Sequence, residues 1–546
     1  MRMRRLMQPR LDAPLPLWMI FPVVFAALYA THFTLLRLPY YWDEAGYYIP
    51  AAWDFFRTGS LIPITTLTNA HPPLESIYLA LWWKVSGFYP EVTREAVLMV
   101  AAMGLLAVWR LAMRLVGVSS VAFWTVVLTG LYPIWFAQSS LAHADIFAAA
   151  CTLWGLVYAL PERNRHPFAA ALWFTAAALC KETAIAVPLT LAVVCAVEAY
   201  KAHGGLRIRL CQEAGWLASC IVPLAGWYGW HYAKTGFVFG NPEFLRYNAQ
   251  ANLDPLRMLA AFGHRILHLT AHMNMFVPVL IAMAAVLLLR PRFNADGHER
   301  LGIGGPALRR IDLVLLVNAL FFSVMGGALL TRYLLPMYPL VLLLAVSTLY
   351  RRVPFWHALA LLSAAAFVLG IFVNPPYGFA PEDNLAYAHV VRLQLAGISQ
   401  LNKRYPGSTV LSAWPMTDEL TRPELGYLKP PAKAYDVYRV EDFTAGQIAR
   451  AAVEPEKYTV ALVFSTKYDP AWPQLSLGRQ SEALDERFFG LHHDLSPEEI
   501  ARQLGGTLVW KGADQGQWVG LIRFDRVLDA RLAGDDGLRD AVSVGR

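Results

Sequence analysis

Cysteine is scarce and poorly spaced for chemistry. The 546-residue chain has five, and Cys151, Cys180, Cys195, Cys211 and Cys220 contain no Cys-x-x-Cys pair of the kind that binds metal or cycles between redox states. They read as small core residues. Charged residues are also few, at 16%. The formal net charge of +7 is largely accounted for by basic residues at helix ends, which leaves no nucleic-acid footprint. From about Tyr377 onward there is no glycine-rich motif to cradle a phosphate. No internal repeat marks the paired halves of a transporter.

What is abundant is apolar. Hydrophobic residues make up 56% of the chain, and the mean hydropathy is +0.38. Runs long enough to cross a bilayer recur through the first 375 residues, which makes this a polytopic membrane protein. Spans are expected near 15–36, 95–116, 118–137, 145–160, 167–181, 184–201, 213–232, 275–290, 311–330, 333–350 and 355–374, about eleven helices. The apolar stretch Leu74 to Val85 is short for a crossing and reads as interfacial or re-entrant. The arginine-rich start resembles a signal peptide only briefly, because its apolar run is too long and no convincing small-residue cleavage site follows.

Basic clusters fall at alternate helix ends: Arg2, Arg4, Arg5 and Arg10; Arg110 and Arg114; Arg163 and Arg165; Lys201, Arg207 and Arg209; Arg290 and Arg292; Arg309 and Arg310; Arg351 and Arg352. The positive-inside rule places these, and the amino terminus, in the cytoplasm of an inner (plasma) membrane protein. The opposite ends then face outward. They carry Asp43 and Glu44, the Ser139 to Asp145 turn, Lys181 and Glu182, the loop from His231 to Met273, Arg332 and everything after Asn374.

From about Tyr377 the apolar runs shorten and Pro, Gly and charge recur. The expected organisation is a membrane domain over 1–376, with its first outward loop at 37–94, and an extracytoplasmic α/β domain over 377–546. Within the latter, Asn384 to Tyr405 has the spacing of an amphipathic helix. Thr409 to Trp414 and Tyr458 to Phe464 read as buried strands, and Gly506 to Lys511 with Gln517 to Phe524 as a hairpin. Ser496-Pro497-Glu498-Glu499 reads as a helix start.

The most informative segment is Trp42-Asp43-Glu44-Ala45-Gly46-Tyr47-Tyr48, where two carboxylates stand beside a membrane surface. Acids there are rare enough to suggest function: taken alone, the segment reads equally as a general base in a low-dielectric setting and as an interfacial aromatic anchor with incidental acids. Further on come an amphipathic stretch, Ala45 to Arg57, and then Ala70-His71-Pro72-Pro73-Leu74-Glu75. Ala142-His143-Ala144-Asp145 and Thr331-Arg332-Tyr333-Leu334-Leu335-Pro336 complete the set.

In this order, on one face, these motifs resemble the polytopic glycosyltransferases of the GT-C class, in particular the protein O-mannosyltransferase and aminoarabinose-transferase group. The resemblance covers roughly residues 10–350. It implies a GT-C-like helical bundle that transfers a sugar from a polyprenyl-phosphate-linked donor to an acceptor hydroxyl on a lipid, glycan or protein. Transfer would occur on the outer face, with inversion. It further implies Asp43 as catalytic base beside Glu44, with His71, Asp145, Lys181, Arg332 and Tyr333 at the substrate. Positive charge must hold the departing phosphate, and Arg332 then Lys181 are the leading candidates. His71 stands where the aminoarabinose branch has lysine, and fits the mannosyltransferase-like pattern better.

No cofactor is fixed by the sequence. Asp145 and His143 either ligate a divalent metal with Glu44 or organise the loop by hydrogen bonds, and organisation is favoured. His264, His268 and His272 share a helix face at four-residue intervals, but an interfacial polar face is favoured over a metal site. The rival from another class is a secondary transporter or lipid flippase that uses Asp43, Glu44, Asp145 and Arg332 as coupling charges. A scaffold whose working part is the tail leaves the charged loop unexplained.

Overall fold

The computed structural model describes residues 15–68, 71–161, 165–238, 240, 253–294, 297–325, 328–428, 433–468 and 476–524. The chain divides into two compact units. One is Met1–Arg37, Pro50–Val373 and Glu382–Asn384; the other is Leu38–Ile49, Asn374–Pro381 and Leu385–Arg546. The protein is mostly helical with a small C-terminal sheet.

Among its described residues the first unit is built of helices, with one isolated bridge between Phe293 and Glu299. Apolar sequence with no lipid-side partner for its backbone has to satisfy its own N–H and C=O groups, and the helix does so within one segment. Proline sits in the first turn of Pro90–Leu115, Pro133–Gln138, Pro167–Cys180 and Pro255–Thr270, where its missing N–H costs nothing. Asp254 caps the last of these, its Oδ1 accepting from Leu256 N at 2.8 Å and Arg257 N at 3.1 Å. Small residues set the packing. Ala144–Ala159 lies between Pro90–Leu115 and Pro167–Cys180, and a Cβ on Gly155 would come within 2.5 Å of the Phe174 ring. Val222, Leu287 and Leu288 are exposed, as lipid-facing side chains are.

Helices stand at each position where a span is expected, with two changes. Pro133 divides the third into Ser119–Leu131 and Pro133–Gln138. The seventh is two helices, Gly204–Ala218 and Ile221–Thr235. Among the described residues, Pro90–Leu115 and Glu182–Lys201 are each long and apolar enough to cross a membrane alone, and Pro255–Asn274 with Phe276–Leu288 forms a pair bent by 103°. The other apolar helices are shorter, such as Leu17–His32 and Trp356–Phe372. Leu74–Ser86 has 13 residues.

The second unit is built on a five-stranded sheet of order β2-β1-β3-β5-β4, with β1 Val410–Ala413, β2 Val437–Val440, β3 Val460–Phe464, β4 Thr507–Asp514 and β5 Gln517–Arg523. β1 runs parallel to β2 and β3, whereas β5 is antiparallel to both β3 and β4. β3, Val-Ala-Leu-Val-Phe, is buried at every residue because both sheet faces are covered. Gly397 of Ala386–Arg404 packs against Val519 on one face, and Gly520 packs against Pro497 on the other. Successive strand residues point to opposite sides. Gln515 and Gly516, at φ 47° and 81°, close the β4–β5 hairpin with the left-handed pair that a two-residue turn requires. Ser496 and Glu499 cap each other in a capping box. The sequence signal for β2 is weak: only four residues, one of them exposed.

Candidate functional site

In the helical unit, charged residues from five segments meet in a buried cluster. Asp145 opens the helix Ala144–Ala159. Its Oδ1 accepts from Lys181 Nζ at 2.6 Å, and its Oδ2 lies 3.3 Å from Arg332 Nε. Lys181 comes from the end of Pro167–Cys180, and Arg332 from the turn Thr331–Leu334. Arg332 also pairs with Glu382. All four residues are buried. Lys181 Nζ stands 4.2 Å from the Tyr333 ring centroid, a cation–π contact strengthened by desolvation, and Phe322 stacks on Tyr333 at 5.5 Å. Arg265, fully buried, faces the same Tyr333 ring at 5.7 Å. Its guanidinium is held by the carbonyls of Leu330 at 2.8 Å, Ala328 at 3.3 Å and Phe322 at 3.4 Å.

His71 Nδ1 and Glu182 Oε2 are 2.7 Å apart. His143 is fully buried, and its Nδ1 lies 2.9 Å from Gln138 Oε1. Arg94, 1% exposed, donates to the Ser140 carbonyl. His272 Nε2 lies 2.9 Å from Asp383 Oδ2, and Thr331 also donates to Asp383.

Of the residues singled out from sequence, His71, Asp145, Lys181, Arg332 and Tyr333 thus fall within the helical unit. Asp145 touches Lys181 and Arg332 directly, and Lys181 touches Tyr333. His71 is joined through Glu182, the residue after Lys181. Arg94, Arg265, Glu382 and Asp383 were not singled out. Arg94 carried a signal, a cation just inside a long apolar helix. Glu382 and Asp383 sit in a Pro-Glu-Asp-Asn run that looks like linker. The rings of His264, His268 and His272 succeed one another at 6.3 and 5.4 Å. Among the described residues no group of three or more His, Cys, Asp or Glu is arranged to hold a metal ion.

Asp43 and Glu44 belong to the second unit. Trp42 takes a left-handed φ of 47°, after which Glu44–Tyr48 forms one π-helical turn. Glu44 is buried, and its Oε2 accepts from Tyr41 N at 2.9 Å. It therefore fastens the segment, while Asp43 is only half-buried. Trp414, which follows β1, anchors the segment from the other side. Its ring meets Trp42 edge-on at 5.2 Å and Tyr47 at 5.8 Å, and lies where a Cβ on Gly46 would be 2.6 Å away. Tyr427 Oη donates to the Tyr40 carbonyl at 3.0 Å, and Tyr41 packs on Tyr387 at 5.8 Å. On Met416–Thr421, Glu419 is fully buried. Burial, and then the neighbouring Asp418 charge, hold its carboxyl well above the usual carboxylate range.

No family model matches the chain, and no curated protein matches it. Among solved structures, a similar one is ArnT from Cupriavidus metallidurans bound to undecaprenyl phosphate, at 17% identity over 92% of this chain and 97% of that one, with a TM-score of 0.53. The apo state of the same ArnT gives equal identity and coverage, with a TM-score of 0.49. The chain shares the fold of this ArnT structure.

Proposed function

We propose that this protein is an integral membrane glycosyltransferase that moves a sugar from a polyprenyl-phosphate donor to an acceptor hydroxyl, with inversion, on the outer face of the inner membrane. The observation that carries the proposal is the buried Asp145–Lys181–Arg332–Tyr333 cluster, in a chain sharing its fold with a protein crystallised with undecaprenyl phosphate. Buried ion pairs are poor sources of stability. A set of buried cations already organised by carboxylates is well suited to take up a phosphate, since no reorganisation is needed as charge develops.

In this reading Arg332 and Lys181 bind the phosphate, Asp145 and Glu382 orient them, and Tyr333 fixes the Lys181 ammonium. His71 completes the anion site. Asp43 takes the proton of the acceptor hydroxyl as its oxygen bonds to the anomeric carbon. The bond from that carbon to the phosphate oxygen breaks, and its electron pair leaves on the phosphate. Glu44 keeps the segment in place. About eleven crossings, with a cytoplasmic amino terminus and the sheet domain outside, put every named group on one side, as a lipid-linked donor requires.

Deletion of the protein should cause its donor to accumulate, and mass spectrometry of the lipid-linked sugars names it. With that donor, the purified full chain in nanodiscs should transfer sugar. Asp43→Asn should fold and bind undecaprenyl phosphate as the wild type does, yet turn over at least ~10²-fold more slowly. Near-normal turnover in Asp43→Asn removes it as base. Absence of both donor accumulation and transfer rejects the enzyme reading in favour of a transporter or flippase.

A further inference from the structure

The pair His71 and Glu182 borders the cluster of Asp145, Lys181 and Arg332. Lys181, Arg332 and Asp145 form a group in which each cation is held by a carboxylate, whereas the imidazole of His71 has a carboxylate of its own at 2.7 Å on Nδ1. Both side chains are mostly but not wholly enclosed, 14% and 22% exposed. A ring whose Nδ1 is engaged by a carboxylate has its orientation and tautomer fixed, and it does its chemistry through Nε2.

We propose that His71 and Glu182 are the proton donor to the departing phosphate: Nε2–H of His71 delivers the proton, and Glu182 is the positioning residue that holds Nδ1. This rests on the glycosyltransferase reading. As the bond from the anomeric carbon to phosphate oxygen breaks, that oxygen keeps the electron pair, and the phosphodiester monoanion would become a monoester dianion. The Nε2 proton passes to it, leaving a monoester monoanion and a neutral imidazole with Nδ1–H still on Glu182. The acceptor's proton goes separately to the base, so charge and protons balance. A lysine at position 71 would supply charge but a poor acid, and the carboxylate at 182 would then have little to orient. Ionisable groups facing the pair include Lys181, Asp145 and Tyr228, none of which is changed in the test.

The test uses the full chain in nanodiscs, the accumulated donor, and His71→Lys, His71→Ala, Glu182→Gln and the double variant His71→Lys/Glu182→Gln. His71→Lys should keep undecaprenyl phosphate binding within about threefold while kcat falls on the order of 10²-fold. Glu182→Gln should lower kcat with little change in KM, and the double variant should be no slower than His71→Lys, because the two act as a unit. Added imidazole should restore turnover to His71→Ala, which a merely structural role for the ring would not permit. Wild-type kcat in His71→Lys, fully additive losses in the double variant, or no imidazole rescue overturns the proton-donor role and leaves the transferase reading intact. Failure of the wild type to bind undecaprenyl phosphate or to transfer sugar overturns both.

Discussion

Gly46→Ala should cripple catalysis while leaving the fold in place, because position 46 sets where Asp43 stands. A Cβ at 46 would lie 2.6 Å from Cζ2 and Nε1 of Trp414 and 2.8 Å from Cε2. Carbon atoms in contact sit about 3.5–4.0 Å apart, so the segment or the ring has to move by about 1 Å. Trp414 has little room to give, since Trp42 and Tyr47 both pack on it and it follows directly on a fully buried strand. The segment therefore moves, and Asp43, three residues away on the same turn, moves with it. A displacement of about 1 Å at a reacting group costs on the order of 10² in rate. kcat should fall by that amount, with undecaprenyl phosphate binding and the elution profile of the purified protein unchanged. Trp414→Leu removes the obstructing ring, so Gly46→Ala should cost much less in a Trp414→Leu background, a strongly non-additive double-mutant cycle. Wild-type kcat in Gly46→Ala, or full additivity in the cycle, would refute the reasoning.

Arg332→Lys keeps the charge but loses the fork that spans Asp145 and Glu382, so KM for the donor should rise about tenfold or more and Arg332→Ala should be nearly inactive; donor dependence unchanged in both variants would exclude Arg332 from the phosphate site. Burial raises the folded pKa of Glu419 above its unfolded value, so stability falls as pH rises through the interval between the two. Glu419→Gln should therefore gain on the wild type in thermal denaturation as pH goes from ~5 to ~8, and parallel pH profiles would refute the assignment. Cysteines placed at the exposed positions Val453 and Gln503, with the five native cysteines replaced, should react with a membrane-impermeant maleimide in intact spheroplasts; labelling only after permeabilisation would put the sheet domain in the cytoplasm.

The part of the site that could be read from sequence is the part where a charge interrupts apolar sequence. Asp145, Lys181 and Arg332 each break a hydrophobic run at a helix end, and such a residue carries its own signal because its solvation cost needs a reason. Arg94 has the same character. It lies five residues into Pro90–Leu115 and fell just outside the expected span at 95, so a boundary error of a few residues concealed it. Glu382 and Asp383 had no local signal at all. Their meaning comes from Arg332, Thr331 and His272, 50 or more residues away, and only folding brings these together. The helices were readable because hydropathy reports burial in lipid or protein alike. That is also why it could not fix how many cross: an 18-residue run and a kinked pair of shorter helices have the same average.

The Asp43 segment shows a different limit. Its motif was legible, but what fixes its geometry is Trp414, more than 360 positions away in the chain. A short acidic string in a loop has no conformation of its own worth relying on. Glu44 bonding back to Tyr41 N, a left-handed Trp42 and a glycine pressed to an indole ring together over-determine it. Each is unremarkable in sequence. The strained backbone at 42 persists only because the contacts around it hold it there, which makes Gly46 and Trp414 as much a condition for a precisely placed carboxylate as the aspartate itself.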